Sequence, residues 1–410
     1  MQVLLDIIIR WFIIMEKNQK IRKITLYYSL LAYLGMASAV FGPSLLKLVE
    51  QTNSSLSQMS YLFSGRAISY LAGSWLAGIL FDKYKGHQLL IGGLTVLGLS
   101  LGLIPFMGDP LGLILLAMGM AVATALVDVG CNSLLFRIPD IKVGPAMNGL
   151  HFFFGLGSFL APLLLVGSLQ INNGIQLGYW GLGLFSLLIL IQFVGLKEPS
   201  SPIKDTPDPA TDKLNQGLNR NLLIWVIILF FFAFVGVEVG YGDWLSTYSI
   251  QTGLAAETTA VLLTSTYWGA FTISRLISIP LAIKIKPKYL LTADVLGAFL
   301  GLGLVFLFPE QSALLWVGTI ILGFSIASLF PLMLTFAETM MPMTGKITSR
   351  FFIGGSIGSI FLPWVIGRTV ETVGPLVIIR ILFLTLVLAG VIFLILLRVS
   401  KKHPQPLPRV

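Results

Sequence analysis

One carboxylate and one amide lie a helical turn apart inside the long apolar stretch 111–137. Asp128 precedes Arg137 by nine residues, which is about 13 Å along a helix and therefore deep within a membrane. A spacing of four places Asp128 and Asn132 on one helical face. A carboxyl group at that depth can bind and release a proton, or carboxylate, amide and backbone oxygens can together hold sodium. We predict that Asp128 and Asn132 bind a cation, the alternative being a structural hydrogen bond to the next span.

The following apolar stretch, 146–168, carries polar and small residues along one helical stripe that includes Asn148 and His151. His151 comes at a depth similar to that of Asn132. We predict that Asn148 and His151 contact a solute, although a histidine that only packs helices together is an equally natural interpretation. The three histidines are too scattered for a metal cluster, and Cys131 is the only cysteine, so neither a disulfide nor a cysteine-based metal site is expected.

Aromatic and acidic residues are concentrated in the stretch 221–249. Spacings of three and four place Glu238, Tyr241 and Tyr248 on one helical face. Aromatic rings stack on the apolar faces of sugars, and carboxylates accept hydrogen bonds from hydroxyl groups. We predict Glu238 as a cation or solute ligand, and Tyr241 and Trp244 as solute contacts. An interfacial aromatic belt explains Tyr248 and Trp244 as well, but does not explain the deeper Glu238.

Two arginines lie inside apolar stretches, where an ionisable side chain costs roughly 2.5–3.5 kcal/mol at the bilayer centre and requires a reason. Arg275 shares a helical stripe with Trp268 near mid-depth. We predict that both bind solute and that Arg275 pairs with a carboxylate of another span, either Glu238 or Asp128. Arg66 lies toward the outer side of the membrane, where it either contacts solute or extends its guanidinium to the membrane surface.

Holding such residues at depth requires helices in a lipid bilayer. Of the 410 residues, 56% are hydrophobic and 11% are charged, and the mean hydropathy is +0.89. Soluble domains carry about 25% charged residues, so this composition indicates an integral membrane protein. Twelve stretches are long enough to cross the hydrocarbon core as helices. They are 24–46, 59–81, 88–107, 111–137, 146–168, 174–196, 221–249, 257–283, 288–308, 311–341, 347–367 and 373–398.

Lysine and arginine follow the alternation of these spans. Basic residues fill both terminal flanks and alternate loops, whereas the intervening loops hold only Lys47 and Arg368. Because cytoplasmic loops are enriched in basic residues, both termini are expected in the cytoplasm and the chain in the cell (inner) membrane. The net charge of +9 follows from this bias and does not indicate nucleic-acid binding.

The chain repeats itself at about half its length. Gly42 is followed nine residues later by a Gln-Thr pair, and Gly242 is followed by the same pair at the same distance. Gly157 recurs as Gly358, each directly before a serine. Parallel repeats in an apolar chain predict two related bundles with a solute site between them. The expected segments are a cytoplasmic N-terminal segment 1–23, a bundle 24–196, a proline-rich linker 197–220, a bundle 221–398 and a tail 399–410. For residues 1–14, translation from Met15 and a short interfacial helix are both open.

The loop GILFDKYKGHQLL, from Gly78 to Leu90, lies between spans 2 and 3. It resembles the signature loop of the major facilitator superfamily, although one extra residue precedes Gly86 and His87 stands where the pattern has a cation. The stretches 126–136 (LVDVGCNSLLF) and 234–250 (FVGVEVGYGDWLSTYSI) resemble the branch of fucose–proton symporters and sodium-dependent glucose transporters. The resemblance implies an all-α membrane protein with twelve transmembrane helices in two pseudo-symmetric six-helix bundles.

Gating residues are expected on the basic side of the membrane. By analogy with the family, Asp82 locks one conformation, together with Lys83 and with Arg137 as a nearby partner candidate. Glu338 and Arg350 lie symmetrically about the turn between spans 10 and 11 and are predicted to form a salt bridge. The six predicted gating residues are Gly78, Asp82, Lys83, Arg137, Glu338 and Arg350.

The expected function is secondary active uptake of a small polar solute, such as a sugar, driven by a proton or sodium gradient. The expected partners are that solute and the lipid bilayer, without nucleic acid, an obligate protein partner or a cofactor other than the coupling cation. Proton-driven efflux of amphipathic compounds and a membrane solute sensor are the alternatives. An enzyme is not expected, because no nucleophile–base pair or set of metal ligands converges at one depth.

Overall fold

The computed structural model describes residues 19–139, 141, 143–199, 218–341, 343 and 345–402. The predictions for residues 1–18 and for most of the linker 197–220 therefore lie outside the described residues. Fourteen α-helices and one short 3₁₀ helix, Ile104–Phe106, account for the described secondary structure. The α-helices are α1 (Gln19–Ala39), α2 (Phe41–Gln51), α3 (Leu56–Lys83), α4 (Gly86–Leu103), α5 (Pro110–Phe136), α6 (Val143–Asn172), α7 (Gln176–Ile191), α8 (Leu218–Gln251), α9 (Glu257–Lys284), α10 (Pro287–Leu307), α11 (Ser312–Ile326), α12 (Leu329–Glu338), α13 (Gly345–Val373) and α14 (Leu376–Lys402).

These helices correspond to the twelve predicted spans. Within the described residues, eight helical segments are long and apolar enough to cross a membrane, and α1 with α2, bent by 46°, makes a ninth. Helix α7 is apolar but shorter. Helices α3 and α9 have 28 residues each and are more polar, because they carry Arg66 and Arg275 into the interior. Helices α11 and α12 together form span 10.

Local sequence determines where several spans begin and end. Ser55 accepts a hydrogen bond from the Gln58 amide at 3.1 Å, and the Gln58 side chain accepts one from the Ser55 amide at 3.0 Å, which makes a capping box for α3. Asp109 accepts a hydrogen bond from the Gly112 amide at 2.7 Å, and Pro110 follows it at the first helical position of α5. The outer ends of spans 2 and 4 are therefore encoded by a few adjacent residues.

The repeated Gln-Thr pairs end spans 1 and 7 in the same way. The Thr52 hydroxyl donates to the Leu48 carbonyl at 2.7 Å, and the Thr252 hydroxyl donates to the Tyr248 carbonyl at 2.7 Å. The residue after each threonine has a left-handed backbone, with φ of 47° at Asn53 and 72° at Gly253. Asparagine and glycine tolerate this conformation better than other residues, which explains the sequence repeat at these two turns.

We call spans 1–6 (α1–α7) the N-terminal half and spans 7–12 (α8–α14) the C-terminal half. Helices α1 and α6 pack closely in the first, and α8 and α13 in the second. A methyl group on Gly157 would lie 1.8 Å from the Ala32 carbonyl oxygen, and one on Gly358 would lie 2.0 Å from the Phe232 carbonyl oxygen. The two halves therefore repeat one glycine-dependent backbone contact.

The halves meet along α3 with α13, α6 with α9, and α2 with α8. We call the face with the basic loops the basic face, and the opposite one, predicted to be outside, the outer face. The hydrogen bonds and ion pairs that join the halves through described partners lie toward the outer face. Examples are Lys47 with Glu257 at 3.5 Å and the Ser57 amide with the Glu371 carboxylate at 3.2 Å. This conformation is therefore closed toward the outer face.

Candidate functional site

A cavity of about 450 Å³ lies between the two halves. Spans 1, 2, 4 and 5 supply one wall, and spans 7, 8, 10 and 11 supply the other. Six residues singled out in the sequence line it. They are Arg66, Asp128, His151, Glu238, Trp268 and Arg275. The cavity thus collects these ionisable and aromatic side chains from five different spans at one place.

Asp128 is held by neutral hydrogen-bond donors. The Tyr70 hydroxyl, from span 2, donates to one carboxylate oxygen of Asp128. The Asn132 amide nitrogen donates to the other carboxylate oxygen and to the Asp128 backbone carbonyl, both at 2.9 Å. The alternative interpretation placed an interhelical hydrogen bond of Asp128 toward span 5, whereas the structure has one to Tyr70 of span 2. Asn132 does not line the cavity; it orients the carboxylate that does.

The geometry around Asp128 offers several oxygen atoms to a cation. Thr124 lies one helical turn before Asp128 and lines the same cavity. With the Tyr70 hydroxyl and the Asp128 carboxylate, it provides hard oxygen ligands of the kind that alkali cations prefer. The role of Asp128 and Asn132 in binding a cation stays a prediction.

Arg275 organises the C-terminal wall of the cavity. Its guanidinium carbon lies 4.5 Å from the centre of the Phe271 ring, and its Nε donates to the Ala327 carbonyl at 3.4 Å. Its positive charge acts electrostatically on Glu238 and on His151, although neither side chain lies within the 4 Å of an ion pair. The His151 side chain is exposed in the cavity. Trp268, one turn from Phe271 with 5.3 Å between the ring centroids, completes the aromatic wall.

Arg66 faces the cavity and does not extend to the membrane surface. Its guanidinium carbon lies 4.1 Å from the centre of the Phe41 ring. Its Nε is buried and has no hydrogen-bond partner among the described residues. Asp243, from span 7, lines the same cavity and interacts electrostatically with Arg66.

Sequence reasoning did not assign a role to Tyr70 or Asp243. Tyr70 lies four residues after Arg66 and therefore on the same helical face. That spacing could have identified it as a candidate. Asp243 is an acidic residue inside an apolar span, which by itself marks a functional candidate.

Other predicted solute ligands lie outside the cavity lining. The Tyr241 hydroxyl is buried and hydrogen-bonds to Thr319 at 2.7 Å. Trp244 is fully buried and contacts Phe63, with 6.0 Å between ring centroids. Asn148 is exposed but does not line the cavity. The expectation that Glu238 and Tyr241 face the same space is wrong in this conformation, because α8 turns Tyr241 into the core of the C-terminal half.

The cavity face of α8 is formed by other residues. It consists of Val235, Glu238, Val239 and Asp243. Spacings of three and four put these four residues on one side of the helix. Viewed along the helix, Val235, Val239 and Asp243 lie to one side of Glu238, and Tyr241 lies to the other side. Tyr241 therefore points away from the cavity.

The predicted gating residues lie at the basic face. Asp82 and Lys83 are exposed at the end of α3, and Asp82 forms no ion pair with Arg137 within 4 Å. A side chain at Gly78 would meet open space. Glu338 and Arg350 are both exposed, and the salt bridge that we expected between them is not formed. A gating role for any of these residues stays a prediction.

Glu198 stabilises the end of the loop that resembles the family signature. Its carboxylate accepts hydrogen bonds from the Gly86 amide at 2.8 Å and the His87 amide at 3.4 Å. The His87 ring is buried and makes a 3.0 Å hydrogen bond with the Tyr27 hydroxyl. Histidine therefore serves as an interior hydrogen-bonding residue where the family pattern has a surface cation.

Comparisons with known proteins agree with this architecture. The family model described as Major Facilitator Superfamily matches residues 28–363. Sodium-dependent glucose transporter 1 of Xenopus laevis is 31% identical over 358 residues, which cover 81% of this chain and 72% of that protein. The protein of the same name from Homo sapiens is 28% identical over 366 residues, covering 82% and 71% of the two chains.

Solved structures show the same fold at low sequence identity. The D-xylose-proton symporter superposes with a TM-score of 0.74 at 14% identity, over 94% of this chain and 100% of that one. The nucleoside transporter NupG superposes with a TM-score of 0.70 at 14% identity, over 94% and 99% of the two chains. At this identity the likeness concerns the fold alone.

Proposed function

The chain belongs to the major facilitator superfamily, and from that premise we propose that it couples uptake of a sugar-like solute to entry of a cation. Membership makes it a multi-pass membrane protein and a secondary transporter. The names of its relatives from Xenopus laevis and Homo sapiens favour a sugar as the solute and sodium as the cation. The basic loops favour the cell (inner) membrane, with the basic face in the cytoplasm.

The charge distribution of the cavity carries this proposal. Three carboxylates line the cavity, and two of them have an arginine nearby: Arg275 for Glu238, and Arg66 for Asp243. Asp128 has only neutral donors and forms no ion pair with a described residue. A buried anion without a countercharge is costly. A proton or sodium ion that binds Asp128 removes this cost, so Asp128 is the group best suited to couple cation entry to transport.

The opposite wall of the cavity suits a polyhydroxylated solute. Trp268 offers an aromatic face on which the apolar face of a sugar ring can stack, and Glu238 and Arg275 offer an acceptor and donors for its hydroxyl groups. His151 offers a further polar group from the same wall as Asp128. The cavity volume of about 450 Å³ falls within the range of small-molecule sites. A sugar would therefore bind beside the cation, between the two halves.

Movement of the halves would complete the cycle. In this conformation they meet toward the outer face. Rocking of one half against the other would separate these contacts and expose the same cavity to the outer face. A cation on Asp128 and a sugar beside Trp268 would then be exchanged between the two sides.

The proposal is tested in proteoliposomes with labelled D-glucose. We expect counterflow in the parent protein, and accumulation driven by an inward sodium gradient. Asp128→Asn should lose gradient-driven accumulation and keep counterflow, because it removes the ionisable group without removing the solute wall. Asp294→Asn is the matched control, since Asp294 is also a carboxylate in a span, hydrogen-bonded to Ser328 at 2.6 Å, but outside the cavity.

Three outcomes would contradict the proposal. Undiminished accumulation by Asp128→Asn would remove Asp128 from the coupling role. Accumulation driven by a proton gradient alone would show that the coupling cation is the proton and not sodium. Absence of glucose counterflow, with expulsion of amphipathic compounds from expressing cells, would favour the efflux alternative.

A further inference from the structure

Arg66 occupies the outer end of the cavity on the side of the N-terminal half. It lies on α3, and its guanidinium stacks on Phe41, the first residue of α2 after the bend in span 1. Its Nε is buried and has no hydrogen-bond partner among the described residues, so its own half leaves this donor of the guanidinium unpaired. A guanidinium whose Nε is buried without a partner is stabilised by an anion or a polar ligand nearby.

Asp243 lies on the facing surface of the C-terminal half. A methyl group on Gly42, next to Phe41, would lie 2.8 Å from the Asp243 Cα and 2.8 Å from its carbonyl oxygen. The contact between Phe63 and Trp244 joins the same surfaces, because Phe63 is one turn before Arg66 and Trp244 follows Asp243. Arg66 and Asp243 therefore extend from two helix surfaces that touch each other, and both reach the cavity.

We infer, on the basis of the transport function proposed above, that attraction between Arg66 and Asp243, whose charged atoms are farther apart than the 4 Å of an ion pair, holds the cavity closed toward the outer face. We call these two residues the charge pair between the halves. Opening of the outer face would separate Phe41 and Gly42 from Asp243, and with them the two charges. In the closed conformation both residues are only partly exposed and lie between the halves, where water screens their attraction less than in bulk solvent. Once the face opens, water replaces that attraction. The pair thus favours the closed conformation and has to separate in every transport cycle.

A second charge pair between the halves provides the natural comparison. Lys47 and Glu257 lie 3.5 Å apart on the outer surface, with side chains 23% and 32% exposed. Exposed ion pairs contribute little because water and salt screen them. The two pairs bridge the same halves near the same face, but only Arg66 and Asp243 line the cavity. Comparing them therefore separates a charge pair of the cavity from ion pairing in general.

The test measures outward opening directly, without solute. Ser38 lines the cavity, and Ser38→Cys can react with a membrane-impermeant thiol reagent added outside intact cells only when the outer face opens. The native Cys131 is buried, so the chain with serine at position 38 supplies the background. In the Ser38→Cys chain, Arg66→Gln or Asp243→Asn should raise the labelling rate about tenfold or more, because each leaves one charge between the halves without the opposite charge that faces it in the closed conformation.

The double variant and two controls decide between pairing and general damage. Arg66→Gln with Asp243→Asn should label more slowly than either single variant, since no unpaired charge remains. Arg66→Lys should label at a rate close to that of the parent, and Lys47→Gln should change it less than about twofold. Equal labelling of single variants and parent would overturn the inference, as would an increase for Lys47→Gln matching that for Arg66→Gln.

The same chains separate this inference from the proposed transport function. Labelling is measured without sodium or sugar, so it reports the charge pair whatever the solute is. Glucose counterflow by the parent tests the solute independently. Loss of glucose counterflow with the labelling pattern intact would contradict the proposed substrate and leave the charge pair standing.

Discussion

The Ser64 hydroxyl donates a hydrogen bond to the Ile360 carbonyl across the two halves, at 3.0 Å. The Ser265 hydroxyl makes the related bond to the Phe159 carbonyl at 2.7 Å. Ser64 and Ser265 are 201 residues apart (265 − 64), and so are Phe159 and Ile360 (360 − 159). The internal repeat therefore places one hydrogen bond on each side of the interface, in α3 with α13 and in α9 with α6. Both bonds join the halves in this conformation, which is closed toward the outer face.

Ser64→Ala and Ser265→Ala should each weaken the closed conformation to a similar extent. A hydrogen bond of this kind contributes about 1 kcal/mol, which changes the ratio of closed to open molecules about fivefold. Distances between spin labels on Asn53 and Glu310, exposed on the outer loops of the two halves, report that ratio. Ser249→Ala is the control, because Ser249 bonds within its own helix at 2.9 Å. A shift no larger for Ser64→Ala than for Ser249→Ala would contradict the prediction.

Gly157→Ala and Gly358→Ala should both reduce the amount of folded protein. Each new methyl group would meet a carbonyl oxygen of the neighbouring span at 1.8 and 2.0 Å, so the backbones would have to separate. Overpacking of this kind costs about 1–3 kcal/mol. Size-exclusion profiles and thermal unfolding in detergent measure the loss. Gly167→Ala should behave like the parent protein, since a methyl group there meets nothing within 4 Å; equal damage at all three positions would show that packing is not the cause.

Trp268→Ala should raise the KM for the solute without changing the dependence on the cation. Loss of a stacked aromatic ring costs about 1 kcal/mol or more, which corresponds to about fivefold in affinity. Initial rates of glucose uptake over a range of glucose and sodium concentrations separate the two effects. Trp225→Ala is the control, because this tryptophan of α8 is 63% exposed and lies outside the cavity lining. A changed sodium dependence in Trp268→Ala would place this residue at the cation site instead.

Glu198→Ala should lower the stability of the N-terminal half. The carboxylate accepts hydrogen bonds from the Gly86 and His87 amides at the start of α4, where helices leave amides unpaired and favour negative charge. Loss of such a cap costs about 1 kcal/mol. The midpoint of thermal unfolding measures it, and Glu198→Gln should lose less because its amide oxygen can still accept. Glu338→Ala, at an exposed glutamate, should leave the midpoint unchanged. An equal loss in both alanine variants would exclude capping as the reason.

Sequence alone determined the fold class and identified the candidate cavity residues whose charges are most costly to place in a membrane. A charged side chain in an apolar span is expensive wherever its neighbours lie, so Asp128, Glu238, Arg66 and Arg275 stand out without any knowledge of packing. The repeat of Gly157 at Gly358 likewise predicts two related halves, because a backbone contact that requires glycine must recur in each copy. These features are properties of a single span or of the spacing between spans.

Only the tertiary structure decided which residues face one another. The 3.6-residue period leaves the rotation of a helix undetermined, so packing turned Tyr241 into the core of the C-terminal half and turned Asp243 toward the cavity. Tyr70 became the partner of Asp128 through contact between spans 2 and 4, which lie 58 residues apart in sequence at this point. The burial penalty of a charge is local to its span, whereas the group that relieves it comes from another span, and that pairing exists only after the helices have packed.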